Sequence, residues 1–518
     1  MQPADKLDLP TADTALERPE SDSDSRIGHK ALEGSVWMIG ATGAAKALGF
    51  VCQFALAWFL TKKEYGIYAI AISLSVFLSI LRDGGLPMVL EQKGQRFDLF
   101  AGPVFWMMLA INISTAIVIF LIAQPAAQLY QIPELSSVIA LFALTIPLSV
   151  LPSVLSMRLA VDLKFRELGI IQVISAITRN ALLLYFAASG YGARSLLLPL
   201  LITNVTDSLL LWSVTRYSPW SMPPRFRLWP ELFESGRWVL LGTFAIGLGN
   251  NGSYFLLGQF LPSEVVGTYF FAYQIVVQLG VLLSDNVYQV LVPSFTRMNH
   301  DLARIRSAVP RALTVVVLVG AVASLSIAAV YEPLERALWH GKWAAAAGAV
   351  YIMAVVWPAA AGISVLRALQ MATGRFRQWG LVTLLSAVMS VAGTVAGAYI
   401  GGSAAAAAIG FGVGALLGAA LNAAVVLPGI AVRPFEIANM LLRPWLVVGA
   451  ASAAALGARH FVSNAWLGIA VSGLCFCALV YFGLDLLAKD SYMLVAAALR
   501  KAVRRKFLNA APTPADPV

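Results

Sequence analysis

Residues 34–60 read GSVWMIGATGAAKALGFVCQFALAWFL, a stretch in which Lys46 is the only charged side chain. About 20 apolar residues are enough for an α-helix to cross the roughly 30 Å hydrocarbon core of a bilayer. The stretch therefore predicts a membrane-spanning helix, and the same pattern recurs along the whole chain. We predict fourteen spans, at residues 34–60, 67–90, 102–123, 136–157, 169–188, 195–214, 238–260, 266–292, 312–331, 346–366, 379–400, 403–428, 444–458 and 464–488.

The composition is typical of a polytopic membrane protein, since 59% of the 518 residues are hydrophobic and only 12% are charged. The formal net charge of +10 does not indicate nucleic-acid binding, because the cations are spread over loops that face anionic lipid. The three cysteines and four histidines form no ligand pattern, so the sequence predicts neither a metal nor another cofactor.

The Lys and Arg residues indicate how the predicted spans are oriented. With the N-terminus in the cytoplasm, 28 of the 37 fall in cytoplasmic segments and 6 fall in outer loops. This bias is the positive-inside rule, and it predicts that both termini are cytoplasmic. One wrongly assigned span would invert the orientation of every later span and remove the bias. The distribution of Lys and Arg therefore also supports the number of predicted spans.

An internal repeat with an offset of 201 residues divides the chain. Residues 59–71 read FLTKKEYGIYAIA and residues 260–272 read FLPSEVVGTYFFA, with Trp37 and Trp238 matching upstream. Each unit holds six spans, so both start on the same side and are parallel repeats. Transporters of this design place the substrate path between the two lobes. We therefore predict an all-α polytopic membrane protein with two parallel six-helix repeats and two C-terminal helices.

The segment between the two lobes combines prolines, tryptophans and arginines, which predicts an interfacial linker rather than a further span. The polar, acidic N-terminal residues lack any helical periodicity, which predicts disorder. The predicted parts are a disordered cytoplasmic N-terminus at 1–33, an N-lobe at 34–214, the cytoplasmic linker at 215–237, a C-lobe at 238–428, a helix pair at 429–488 and a basic cytoplasmic tail at 489–518.

Several charged side chains fall inside the predicted N-lobe spans, where a charge is costly and usually faces a cavity or a partner. Lys46 lies roughly 18 Å into the first span, near the bilayer midplane. Lys46, Arg82 and Arg179 together predict an interior cationic cavity for an anionic group, most simply a phosphate. Asp207 lies at the depth of Arg179 on the neighbouring helix, so mutual neutralisation is an open alternative. Asp83 opens a turn-like D-G-G-L stretch, where capping or bending the helix is the alternative.

The predicted C-lobe carries amides inside its spans instead of cations. Asn250 lies in the seventh span, and Gln274 and Gln278 lie on one face of the eighth. Amides suit sugar hydroxyls, while hydrogen bonding between helices is the alternative for each of them.

Short motifs in the predicted cytoplasmic corners, and one that begins in an outer loop, occur in an order that is typical of one family. They are DGGLPMVLEQK (83–93), MRLAVDLKFREL (157–168), LVPSFTRMNHD (291–301), HGKWAAAAGAVYIMA (340–354) and LQMATGRFRQ (369–378). Over roughly residues 34–430 the chain resembles the polysaccharide flippases of the multidrug/oligosaccharidyl-lipid/polysaccharide exporter superfamily. Asp83 matches the family's Asp-Leu-Gly-Leu-like corner, although Gly84 replaces its leucine.

The resemblance implies two lobes around a central cavity, and a cargo of undecaprenyl-pyrophosphate-linked oligosaccharide carried across the bacterial inner membrane. The product would be a surface polysaccharide such as exopolysaccharide or lipopolysaccharide. The implied partners are this substrate, membrane lipids, a coupling ion (H⁺ or Na⁺) and polysaccharide polymerase machinery, with no nucleic acid. The candidate residues are Lys46, Arg82 and Arg179 for the pyrophosphate, Asn250, Gln274 and Gln278 for the sugar, and Asp83 and Asp207 for ion coupling or charge pairing.

Two other functions remain open from the sequence. A drug or small-molecule antiporter of the same superfamily would favour an acidic cavity, whereas the predicted N-lobe cavity holds three cations and two acids. A polysaccharide polymerase or ligase usually needs a sizeable outer loop with carboxylates. The largest predicted outer loop, near 332–345, offers only Glu332 and Glu335. We therefore expect a transporter and not an enzyme.

Overall fold

The computed structural model describes residues 22–83, 97–298, 300–458, 462, 464–487 and 493. Within these residues the chain is almost entirely helical and has no β-strand. The α-helices are α1 (Asp22–Phe59), α2 (Lys62–Asp83), α3 (Phe97–Leu129), α4 (Pro133–Leu148), α5 (Val150–Val161), α6 (Phe165–Ala188), α7 (Leu198–Thr215), α8 (Trp229–Phe260), α9 (Ser263–Met298), α10 (Leu302–Trp339), α11 (Ala347–Ala372), α12 (Phe376–Gly401), α13 (Ala404–Val426), α14 (Pro434–Ala458) and α15 (Ala465–Leu487).

Eleven segments of the described residues are long and apolar enough to cross a membrane. Each coincides with a predicted span, which confirms an all-helical polytopic protein. Helices α4 and α5 form one of these segments, Pro133–Val161, which is interrupted at Ser149. The other three predicted spans correspond to α2, α8 and α9, which contain side chains outside the described set. The total of fourteen spans and the cytoplasmic termini therefore remain predictions.

The helices run past the predicted spans, because the sequence criterion detects only the part that lies in hydrocarbon. Helix α10 has 38 residues and is about 57 Å long, against a core of roughly 30 Å. Its start is capped by Asp301, whose side chain accepts a hydrogen bond from the Arg304 backbone N–H at 3.0 Å. Helix α8 begins at Trp229, so it takes up the end of the predicted 215–237 linker. Helix α1 begins at Asp22 instead of residue 34.

Two similar helix corners, 211 residues apart, lie at corresponding places of the two lobes on one face of the molecule. Helices α6 and α12 begin at Phe165 and Phe376, and the corner before each holds one residue with positive φ. These residues are Leu163 at φ 56° and Gly374 at φ 70°. We call the face with these corners the inner face, since the charge bias predicts it to be cytoplasmic, and the opposite face the outer face.

On the outer face the two repeats cross each other at a reciprocal pair of glycines. Helices α2 and α9 begin at Lys62 and Ser263, which are 201 residues apart. A Cβ atom on Gly66 would lie 1.8 Å from the Ser263 carbonyl oxygen, and one on Gly267 would lie 1.8 Å from the Lys62 carbonyl oxygen. Only glycine permits such a close approach of two backbones. The equivalent residues of the two repeats thus meet around a local two-fold axis.

The hydrophobic core differs between the outer and inner halves. Toward the outer face, one cluster of buried side chains includes residues of both lobes, such as Ile67 and Phe271. Toward the inner face, N-lobe residues such as Phe105 and Leu155 form clusters separate from the C-lobe cluster around Val309. Among the described side chains, the two lobes therefore share one cluster at the outer face and belong to different clusters at the inner face.

Candidate functional site

A cavity of about 570 Å³ lies in the N-lobe between α1, α6 and α7, with contributions from α2 and α9. We call it the cation cavity. Thr42, Lys46 and Gln53 line it from one face of α1, at the spacing i, i+4, i+11. Gln172 and Arg179 line it from α6 at i, i+7. Two polar stripes on facing helices therefore form a polar interior within the membrane-spanning part of the chain.

The structure places two of the three predicted cations in this cavity. Arg179 is exposed to it and Lys46 is half-buried, so both can reach a bound molecule. Arg82 lies one residue before the end of α2, and its side chain is outside the described set, as is that of Asp83. Lys46 and Arg179 come from helices that are far apart in sequence but packed together, which gives one region of positive charge.

Among the described residues, Asp207 is the one carboxylate that lines the cation cavity. It accepts a hydrogen bond from the Ser175 hydroxyl and lies close enough to Arg179 to attract it electrostatically. No contact between the Arg179 guanidinium and a described carboxylate falls within the 4.0 Å limit of an ion pair. Asp207 therefore offsets part of the charge of Arg179 without occupying its hydrogen-bonding groups.

The structure places one of the predicted sugar-binding amides in the cation cavity and another outside it. Gln274 lines the cation cavity, so α9 contributes one C-lobe amide to the N-lobe site. Asn250 accepts a hydrogen bond from the Tyr273 hydroxyl at 3.2 Å and is not among the residues that line this cavity. The Gln278 side chain lies outside the described set.

Further amides in the cavity were missed in the sequence analysis. Gln53, Gln172, Asn180 and Asn204 all line it. Gln172 accepts a hydrogen bond of 3.4 Å from the Thr42 hydroxyl, which joins α6 to α1 across the cavity wall. The available signal was the seven-residue spacing that places Gln53 on the face of Lys46 and Gln172 on the face of Arg179, whereas the charged side chains had been predicted from their depth alone.

The outer end of the molecule is closed by hydrogen bonds from the C-lobe to the end of α1. The Trp339 and Trp343 indole N–H groups donate to the carbonyls of Phe54 at 3.1 Å and Ala57 at 3.0 Å. The Lys342 ammonium donates to the Trp58 carbonyl at 2.8 Å. The carbonyls of Ala57 and Trp58 are among the last four of α1, which have no partner within the helix, so the C-lobe supplies their donors. We call these contacts of Trp339, Lys342 and Trp343 the outer latch.

Aromatic rings fill the space beside the outer latch. Trp343 stacks on Phe271 at 3.9 Å between ring centroids and meets the edge of Tyr65 at 5.2 Å. Tyr65, Phe271 and Trp343 have no exposed surface. Burial lowers the pKa of Lys342, while the nearby Glu64 carboxylate opposes this effect. The latch and the rings together hold the outer ends of the two lobes against each other.

Sequence comparisons identify the family of the chain. The family model described as "Polysaccharide biosynthesis protein" matches residues 55–348, more than half of the chain. The succinoglycan biosynthesis transport protein ExoT of Rhizobium meliloti (strain 1021) is 26% identical over 319 residues, which cover 60% of this chain and 62% of ExoT. The lipopolysaccharide biosynthesis protein WzxC of Escherichia coli (strain K12) is 21% identical over 340 residues, which cover 64% of this chain and 67% of WzxC. The chain thus spans slightly less than two thirds of ExoT.

Solved structures show the same fold. The lipid II flippase MurJ in an inward closed conformation superposes with a TM-score of 0.67 at 12% identity, over 87% of this chain and 99% of MurJ. A transporter of the MOP superfamily from Pyrococcus furiosus superposes with a TM-score of 0.52 at 14% identity, over 78% of this chain and 95% of that protein. The apolar helices and these relatives indicate a multi-pass protein of the bacterial inner membrane. The chain belongs to the polysaccharide biosynthesis protein family.

Proposed function

We propose that the protein moves undecaprenyl-pyrophosphate-linked oligosaccharide repeat units from the inner to the outer leaflet of the bacterial inner membrane. The family match and the relatives in exopolysaccharide and lipopolysaccharide biosynthesis support the cargo class. The observation that carries the proposal is the position of Lys46 and Arg179 in one cavity of the membrane-spanning N-lobe. Charges at this depth are costly and therefore usually functional.

The chemistry of the two cations suits a diphosphate. A phosphate without a partner would lose its hydration in hydrocarbon at a high cost in free energy. The Arg179 guanidinium has a planar fork of donors that matches two phosphate oxygens, and the Lys46 ammonium acts as a point charge. Asp207 is assigned to charge pairing, because it partly offsets Arg179 when no anion is bound. Arg82 and Asp83 remain candidates for phosphate binding and for coupling or charge pairing.

The sugars of the cargo would lie in the polar space while the prenyl chain stays in lipid. Gln274 is the C-lobe amide that lines the cation cavity. Asn250 and Gln278 remain proposed sugar contacts on the C-lobe side. The remaining repeat-unit sugars would extend toward the inner face, where the cores of the two lobes are separate.

The described arrangement fits the loading step of an alternating-access cycle. The outer latch holds the outer face closed, and the lobes would then rock so that the helices part at the crossing of Gly66 and Gly267 as the outer face opens. We propose fourteen spans with both termini in the cytoplasm, in agreement with the charge bias. A gradient of H⁺ or Na⁺ would drive the cycle, and polymerase machinery would consume the cargo at the outer face.

A drug or small-molecule antiporter of the same superfamily is the second candidate. It would favour a cavity with net negative charge for cationic drugs. The described lining contains Lys46 and Arg179 against the single carboxylate of Asp207, which favours an anionic cargo.

The test is charge removal at Lys46 and Arg179, each replaced by alanine, in bacteria that lack the chromosomal gene. We expect each variant to reach the membrane at a normal level and to lower surface polysaccharide at least tenfold, with lipid-linked repeat units accumulating at the inner leaflet. Arg433→Ala is the matched control, since the Arg433 side chain is 85% exposed and lies outside the cavity. Normal polysaccharide output from both cavity variants would refute the proposed function.

A further inference from the structure

A second polar chamber adjoins the cation cavity. It has a volume of about 340 Å³ and shares Gln172, Ser175 and Asp207 with the cation cavity as a common wall. It lies toward the inner face, because Leu168 and Leu211, near the inner ends of α6 and α7, also line it. Its remaining polar lining comes from the serine hydroxyls of α5 and of the residue just before that helix, Ser149, Ser153 and Ser156. We call it the serine chamber.

The hydroxyl protons of the serine chamber are largely used within the protein. Ser149 donates to the Ile146 carbonyl at 2.7 Å, and Ser156 donates to the Ser153 carbonyl at 2.8 Å. The single hydroxyl proton of Ser175 is shared between the Ile171 carbonyl of its own helix and the Asp207 carboxylate. A hydroxyl that has donated its proton still has two lone pairs as acceptors. The Ser153 hydroxyl and the Gln172 amide are the remaining side-chain donors in the described lining, so acceptor positions outnumber donors along the walls of the chamber.

Asp207 strengthens this acceptor character. An ionised carboxylate has about four lone-pair positions, and one of them at Asp207 receives the Ser175 hydroxyl. The charged group that acts on Asp207 among the described residues is Arg179 from α6, and Lys46 from α1 lines the same cation cavity. The serine-bearing wall contributes no titratable side chain to the described lining of the chamber.

The two adjoining spaces thus select opposite chemistry. A phosphate has only acceptor oxygens, so the acceptor walls of the serine chamber would repel it, whereas Lys46 and Arg179 would attract it. A sugar ring carries several hydroxyl donors, which match serine oxygens and a carboxylate. In a lipid-linked oligosaccharide the first sugar is bonded directly to the diphosphate, so the two binding sites have to be contiguous.

We propose that the serine chamber binds the first sugar of the cargo while the diphosphate lies between Lys46 and Arg179. This inference rests on the proposed function and assigns Asp207 as a hydroxyl acceptor. The volume lies within the range of about 300–1,000 Å³ that is usual for small-molecule sites. The Asp207 carboxylate would repel an acidic sugar, so the first sugar is uncharged, and charged sugars are confined to later positions of the repeat unit.

The experiment compares two probes on the purified full-length protein in lipid nanodiscs. One is undecaprenyl pyrophosphate, and the other is the same lipid carrying one neutral hexose. Affinities are measured by the change in intrinsic tryptophan fluorescence. The test variant is Ser153→Leu, which fills the chamber without changing any charge. The matched control is Ser213→Leu on α7, because Ser213 is exposed and does not line either space.

We expect the wild-type protein to bind the hexose-bearing lipid at least tenfold more tightly than the bare lipid diphosphate. Ser153→Leu should abolish this preference and leave the affinity for the bare diphosphate within twofold of wild type. Ser213→Leu should keep the preference. A second variant, Asp207→Asn, should reduce the preference while binding the bare diphosphate as well as wild type or better, because a negative charge near Arg179 is removed.

Two results would overturn the sugar site while leaving the proposed function intact. They are equal wild-type affinities for the two probes, and an equal loss of both affinities in Ser153→Leu. Failure of the wild-type protein to bind either probe would instead refute the proposed function, and the sugar site with it.

Discussion

Replacement of Gly66 by alanine tests whether the glycine crossing permits the outer face to close. The new Cβ atom would lie 1.8 Å from the Ser263 carbonyl oxygen, where ordinary contact begins at 3.4 Å, so α2 and α9 have to part by about 1.6 Å. The neighbouring atom is backbone and cannot rotate away. Overpacking of this kind costs about 1–3 kcal/mol, and the cost falls on the state in which the outer face is closed. A shift of that size changes a two-state population roughly 5- to 150-fold.

The outer opening can be followed by double electron–electron resonance between spin labels on the two lobes. Lys63 in the N-lobe and Arg336 in the C-lobe suit the labels, since their side chains are 53% and 65% exposed. Both would be replaced by cysteine in a background without the three native cysteines. In Gly66→Ala we expect a longer-distance population to grow at the expense of the wild-type distance, together with impaired export.

Two further variants make the interpretation specific. Gly267→Ala should reproduce the effect, because its Cβ would lie 1.8 Å from the Lys62 carbonyl oxygen. Gly449→Ala on α14 is the matched control, since a Cβ there would meet no atom within 4 Å. If Gly66→Ala kept the wild-type distance distribution, or if Gly449→Ala changed it equally, close approach at the crossing would not govern outer closure.

Two further predictions concern the outer latch. Trp343→Phe keeps the ring on Phe271 but leaves the buried Ala57 carbonyl without its 3.0 Å donor, which costs about 1–3 kcal/mol. The open population should rise in the same spin-label assay, while Trp466→Phe at an exposed indole should leave it unchanged. Because burial lowers the pKa of Lys342, the closed state binds fewer protons than the open state between this lowered pKa and the ordinary value of about 10.4. The closed fraction should therefore rise with pH across that interval in the wild type, and a Lys342→Gln variant that kept the rise would contradict this assignment.

The membrane architecture was largely predictable, because hydrocarbon imposes a uniform requirement on every span. A run of about 20 apolar residues has few alternatives to a transmembrane helix, and the eleven recognised segments coincide with predicted spans. The helix ends were less predictable. Asp22 and Trp229 begin α1 and α8 in segments that are polar or rich in proline, where hydropathy carries no signal for the boundary.

The repeat was visible in the sequence, but its structural consequence was not. Gly66 and Gly267 align at the offset of 201, and this alignment predicts equivalent positions in the two lobes. That each glycine contacts the backbone of the other repeat follows only from how the lobes cross. The reciprocal contact explains why a residue without a side chain stands at both positions.

The candidate site was predictable where it contains charges, because a charged side chain within a membrane span has a high free-energy cost and is usually functional. Lys46 and Arg179 stood out because charges within a span are rare, and both line the cavity. Neutral groups such as Gln53 and Ser153 carry no such signal, since amides and hydroxyls in membrane helices often bond only to their own helix or to a neighbour. Which of them line a cavity depends on helix rotation, and a single sequence does not determine that rotation.

The outer latch was also absent from the sequence prediction, and its chemistry suits a contact that has to break in every cycle. Two of its three donors are neutral indoles, and all three acceptors are backbone carbonyls at the end of α1. Breaking a buried ion pair leaves an uncompensated charge and costs about 3–5 kcal/mol, whereas an exposed carbonyl can exchange a typical donor for water at a net cost of only about 0.5–1.5 kcal/mol. If the lobes rock as proposed, the free energies of the outward-closed and outward-open states have to be close. Their difference can be no larger than the difference between the cargo's binding free energies for the two states. Two neutral bonds and one ammonium–carbonyl bond meet that condition where ion pairs would hold the outer face shut.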